Sequence, residues 1–290
     1  MFENNWFNHD SCFSQISNAW SIPSRKVNSA HVVSDKLKLL RRILKHWAKG
    51  LSNLSALIAN CNATLAFFDK LEEHRDLFQQ EADFRSILKF HLQNLLRMQN
   101  IYWRQRFTQR LVQFGDENTK FFHAMAIERY RRNVISQISD STGRLVSDHG
   151  EKSGLFYQEF KRRLGISIET SMHFDLQTLM QPCSTLDNLC LPFSKEEIDA
   201  VILDLPRDKA PSPDGFNSLF YWKTWHIIRE DIYKLCHDFH SHSADLKSIN
   251  SSYITLVPKK DNPETVNDFR PISLLNTPLK IIAKLLTNRL

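Results

Sequence analysis

Glycine is scarce: the 290-residue chain has 7, at positions 50, 115, 143, 150, 154, 165 and 215. No two of them have the spacing of a G-x-G-x-x-G or Walker A loop, which excludes both glycine-rich phosphate cradles. Cysteine is sparse, scattered and odd in number, at Cys12, Cys61, Cys183, Cys190 and Cys236. With no C-x-x-C pair, neither a zinc ribbon nor a disulfide framework is indicated. A reduced, intracellular compartment, nuclear or cytoplasmic, is the expectation. No uninterrupted apolar run approaches the length of a membrane span. Residues 1–10 are polar and carry no basic-then-apolar leader. The Asp-Asp dipeptide is also missing from the chain.

What is present is an ordinary globular composition, 42% hydrophobic and 24% charged, with 20 phenylalanines that suit a helix-rich chain. The net charge of +6 is unevenly placed. Residues 101–132 and 247–290 each carry seven Lys/Arg against three Asp/Glu, so these two segments hold more than the whole net charge. Localised basic segments point to a polyanion partner, and equally to two solvated basic faces.

The strongest periodic signal is a stripe on alternating 3/4 spacing: Leu37, Leu40, Leu44, Trp47, Leu51, Leu54, Ile58, Cys61, Leu65, Phe68. A second stripe runs through Phe84, Leu88, His91, Leu95, Met98 and Tyr102. Together they predict two long helices folded as an internal αα-hairpin, ahead of a coiled coil that binds a partner or itself. Gly50 weakens the first stripe locally, by about 1 kcal/mol. Further on, Ile138 and Val146 flank the turn Asp140 to Gly143, which reads as a β-hairpin. Ser194 and Glu197 form a capping box that opens a helix reaching about Leu205. A Pro-rich loop (209–215) follows, then a helix through Phe239, two strands at 252–257 and 269–275, and an amphipathic helix from Leu279. The reading is α+β and predominantly helical. It divides into a helical connector (1–132), a hairpin, helix and linker (133–190), and a final region (191–290). Cys236, His237, His240 and His242 form a tempting cluster, but Cys236 falls off the face shared by His237 and His240, so a solvated helix end is preferred.

Four segments together resemble one family. They are Trp103 to Arg106 continuing through Gly115 to His123 and Arg131 to Asn133; Leu191 to Ile198; Lys209 to Phe216 (KAPSPDGF); and Ile254 to Lys260 continuing through Asp268 to Leu274, Lys280 to Lys284 and Asn288 to Leu290. In this order they resemble the reverse transcriptases of non-LTR (LINE-type) retrotransposons, especially plant members. Phe2 to Trp6 is similar to the segment that follows the family's endonuclease. The resemblance implies a connector followed by partial polymerase fingers, ending before the palm. The family's palm supplies the metal-binding aspartates, one of its motifs being Y/F-x-D-D, and none is found here. Polymerase chemistry needs two divalent ions held by such carboxylates. The resemblance thus implies Mg²⁺ and deoxynucleotide for the intact enzyme, and neither a cofactor nor catalytic residues in this chain.

The same resemblance gives the candidate binding residues. Arg270 would contact the triphosphate of an incoming nucleotide, with Lys259 or Lys260 neutralising a phosphate from the opposite arm of the hairpin; taken bare, they are ordinary strand-end charges. Lys209 sits in a loop stiffened by two prolines. The family usually has Gly where this chain has Ser212, and a positive φ there would cost Ser about 1–2 kcal/mol. Arg104, Arg106, Lys120, Arg131 and Arg132 would hold template RNA or an RNA–DNA hybrid weakly. The apolar face of the last helix (Leu279, Ile282, Leu285, Leu286) would lack its palm partner and make residues 191–290 prone to association. The alternative reading is a non-catalytic RNA-binding or coiled-coil interaction protein.

Overall fold

Short polar side chains set most helix starts. A computed structural model describes residues 1–51, 53–106, 124, 127–128, 130–165, 189–207 and 211–290. After a 3-10 turn at Asn4–Asn8 come helices α1 (Ser11–Trp20), α2 (Ser29–Trp47), α3 (Leu54–Glu72) and α4 (Gln79–Arg106). Asn28 accepts from the Ala30 N–H at 3.1 Å to open α2, and Asn53 accepts from the Ser55 N–H at 3.0 Å to open α3. Strands β1 (Ile138–Ser139) and β2 (Leu145–Val146) pair antiparallel around Gly143, whose φ is +84°. Helix α5 (His149–Leu164) follows, capped by Asp148, which accepts from the Glu151 N–H at 2.9 Å. Then come α6 (Lys195–Asp204) and α7 (Ser218–His240). The capping box of α6 forms as its sequence requires, with both Ser194–Glu197 bonds present. Strands β3 (Ser252–Pro258) and β4 (Phe269–Leu275) make an antiparallel hairpin, and α8 (Thr277–Arg289) ends the chain. The fold is α+β and predominantly helical.

The long stripe is not one helix. It breaks at Ala48–Gly50, a 3-10 turn, and α3 restarts on its Asn53 cap. Glycine's entropic cost in a helix and a competing N-cap both favour the break there. The two halves serve different surfaces. Leu37, Leu40 and Leu44 are buried in the main core, whereas Cys61 and Phe68 are buried against α4, with the Phe68 and Phe84 rings 5.9 Å apart. Helix α3 lies along α4, joined by ion pairs from Arg85 to Asp69 and to Glu72. By length and composition alone, the stretch Ser29–Glu72 contains an 18-residue window apolar enough to cross a membrane, though the backbone breaks inside that stretch.

The main core joins α1 and α2 to α6, α7 and α8, which are distant in sequence. Ile16, Val33, Leu40, Val201, Phe220, Tyr221, Ile228, Ile232, Leu235 and Ile281 are fully covered there. A smaller core gathers Ile138, Val146, Phe156, Phe160 and Phe269, so β1, β2 and α5 support the far end of the β3–β4 hairpin. The apolar face of α8 is covered: Ile282 and Leu285 are buried in the main core, and Leu286 remains 43% exposed. The expectation of a bare face there is corrected, because α6 and α7 occupy it.

Truncating Leu40 to Ala removes a fully buried side chain and should cost about 2–5 kcal/mol. Phe90→Ala, at a position 65% exposed, should change stability little. Urea midpoints of the two variants check this; equal midpoints would contradict the placement of α2 in the core.

Candidate nucleic-acid interface

The register of the terminal hairpin decides which side chains share a face. Val257 faces Arg270, Thr255 faces Ile272, and Pro258 faces Phe269. Side chains alternate along a strand, so Phe269 points into the smaller core while Arg270 points away from it. Arg270 is exposed and makes no ion pair among the described residues. The loop end brings Lys259 and Lys260 to the same end of the hairpin, but both are tied locally. Lys259 Nζ donates to the Asn267 carbonyl at 2.7 Å, and Lys260 Nζ lies 3.2 Å from Asp268 Oδ1. Asp268 Oδ2 also accepts from the Thr265 and Glu264 N–H groups, at 2.9 and 3.0 Å. Those backbone donors hold its carboxyl well below the usual carboxylate range.

The other basic candidates separate. Arg104 is exposed near the end of α4, and Arg106 is the last residue of that helix. Arg131 is exposed; Arg132 is paired with Glu128 at 2.7 Å, one helical turn back. Lys120, Lys209 and the side chain of Arg106 lie outside the described residues. His240 meets the Cys190 carbonyl at 2.9 Å, and Cys236 is buried with its thiol pushed up to about 12. No group of three potential metal ligands converges among the described residues.

The Pro-rich loop has a role that its charge did not suggest. Gly215, at φ +92°, lets the chain turn where a Cβ would sit 3.1 Å from Arg41 Cδ. Ser212 is buried, without positive φ, so the strain expected there is absent. Its hydroxyl instead shares a 3.0 Å hydrogen bond with that of Thr277. The Asp214 N–H donates to Asn276 Oδ1 at 3.1 Å, and Asn276 Nδ2 donates to the Ile249 carbonyl at 2.8 Å. The Phe2 N–H donates to the Gly215 carbonyl at 2.7 Å, and Gln105 of α4 bonds both Phe2 and Asn4. Asp214 itself accepts from the Phe216 N–H at 2.8 Å and faces the buried Tyr221 hydroxyl at 3.5 Å. Burial pushes its carboxyl up to about 6, against the opposing pull of that N–H and of Lys280.

Arg289, at the far end of α8, was not singled out by its residue type. It forks onto Glu197 at 2.8 and 2.7 Å and donates to the Leu191 and Pro192 carbonyls. Its position ninety-two residues from Glu197 leaves no local signal in the sequence.

No family model matches the chain. It is similar to the transposon TX1 uncharacterized 149 kDa protein of Xenopus laevis, with 23% identity over 178 residues. The match covers 60% of this chain and 14% of the relative's length. The chain is thus related to a protein of a transposable element.

Asp214 makes a pH prediction. Its folded pKa of about 6 lies above the ordinary value near 4, so between about pH 4 and 6 the folded state holds a proton that the unfolded state has released. The associated stability is fully present below about pH 4 and lost as pH rises through about 6. Asp214→Asn keeps an acceptor for Phe216 and should lack this loss. Urea midpoints from pH 4 to 7 should converge or cross between the two proteins; parallel profiles would refute the assignment.

Proposed function

We propose that this chain is the connector-and-fingers portion of a LINE-type reverse transcriptase, an RNA-directed DNA polymerase. In this reading it holds single-stranded RNA or an RNA–DNA hybrid weakly and does not extend a primer by itself. The observation that carries the reading is the β3–β4 hairpin, which presents Arg270 to solvent beside Lys259 and Lys260. A guanidinium offers a planar fork of donors that matches phosphate. Relatedness to a transposon protein supports the same assignment. Arg104, Arg106, Arg131 and Arg132 add sequence-independent phosphate contacts. Deoxynucleotide and Mg²⁺ belong to the intact parent enzyme, and no step through them is assigned to these residues.

Two measurements test the reading. Salt-titrated binding of single-stranded RNA should give log K falling with log salt at a slope of roughly −3, if four or five phosphates are neutralised. Changing Arg104, Arg106, Arg131 and Arg132 to Gln should flatten that slope and leave helicity intact. Changing Lys259, Lys260 and Arg270 should matter less, because in this reading their partner is an incoming nucleotide rather than the RNA backbone. An unchanged slope in the first variant removes that segment from the interface. On a primed RNA template with Mg²⁺, the purified chain should incorporate nothing above background; EDTA-sensitive incorporation would overturn this part of the reading.

A further inference from the structure

One face of α2 is basic without local compensation. Lys38, Arg41, Arg42 and Lys45 recur at helical spacing, are all exposed, and pair with no carboxylate among the described residues. Residues spaced three, four and seven apart stand side by side on a helix. Like charges so placed disfavour an isolated helix. The helix is held nonetheless by its opposite face, where Leu37, Leu40 and Leu44 are buried. Lys36 pins it to α7 through Asp231 at 2.7 Å.

These four cations rim a cleft of about 600 Å³. Its floor is apolar, made by Phe2, Leu44 and Phe216, and the half-buried ring of Trp6 forms one wall. Trp6 is braced edge-on by Phe2 at 5.2 Å and by Trp47 at 6.0 Å. Arg41 is steadied by the Pro213 carbonyl at 3.3 Å, over the turn that Gly215 allows. A cleft of this size accepts a nucleotide-sized group. Charged rim and aromatic wall together suit a ligand that is anionic along its length and flat and apolar at intervals.

We infer that this cleft binds a single nucleic-acid strand, the cations of α2 following its phosphodiester backbone and one base entering beside Trp6. The choice of ligand rests on the nucleic-acid reading above; the location does not. From Lys38 to Lys45 the helix rises about 10 Å, enough to meet two or three successive phosphates. Stacking on an aromatic ring adds base contact without sequence preference.

The test uses the full 290-residue chain, a labelled uridine-rich RNA of roughly a dozen nucleotides and a heparin fragment of similar charge. The variant is Lys38→Gln, Arg42→Gln and Lys45→Gln together, sparing Arg41, which contacts Pro213. All three positions are exposed, and an unchanged urea midpoint establishes that the fold is kept. The slope of log K against log salt for the RNA should become shallower by about 2, and the wild-type chain should prefer the RNA to heparin. Wild-type binding with an unaltered slope in the variant overturns the cleft and leaves the proposed function standing. Equal affinity for heparin overturns base entry and reduces the site to a polyanion surface. Failure of the wild-type chain to bind RNA at all overturns both readings.

Discussion

The loop Pro211–Gly215 is the point at which separated parts of the chain meet. Its Gly215 carbonyl takes the Phe2 N–H, its Ser212 hydroxyl meets Thr277, and its Asp214 N–H reaches Asn276. Each bond is worth only about 1 kcal/mol net, but an unmade partner would leave a buried polar group unsatisfied. Asn276 makes the demand acute: it is buried, and both ends of its amide are engaged. The loop therefore aligns the N-terminal segment, the corner between β4 and α8, and the start of α7 at once. Both the α2 cleft and the β3–β4 hairpin inherit their positions from this knot.

Two prolines and one glycine make the knot possible. Proline limits the conformations available to the unfolded loop, and glycine alone adopts φ +92° without strain. Gly215 is also constrained from outside, since Arg41 approaches to 3.1 Å of the Cβ it lacks. A residue important for turning the chain thus also shapes the floor of the basic cleft. Structure and candidate function are coupled at one position.

Local features were readable from the sequence, and non-local ones were not. The Ser194–Glu197 capping box, the Gly143 turn and the β3–β4 strands depend on residues within a few positions of one another, and each formed where its pattern placed it. The split of the long stripe was hidden because a 3/4 repeat continues across Gly50 while its two halves face different partners. Periodicity reports that a face is apolar, not what covers it. The covering of α8 by α6 and α7 escaped for the same reason. Lys38, Arg41, Arg42 and Lys45 were not among the residues singled out by sequence, and only the placement of Trp6 and Phe216 beside them makes a cleft. The roles of Ser212, Asn276 and Arg289 rest on partners 65, 62 and 92 residues away, beyond any local rule.

Hydrogen exchange on the intact chain tests most directly whether the knot unites the fold. The Phe2, Ser212, Gly215 and Phe216 amides all donate to backbone or side-chain acceptors in this region. They should exchange as slowly as the buried amides of α2 and α7, and Asn276→Ala should release them together. Fast exchange of the Phe2 and Gly215 amides in the unaltered chain, while α2 and α7 stay protected, would show that the N-terminal segment and the Pro-rich loop are not part of one cooperative unit.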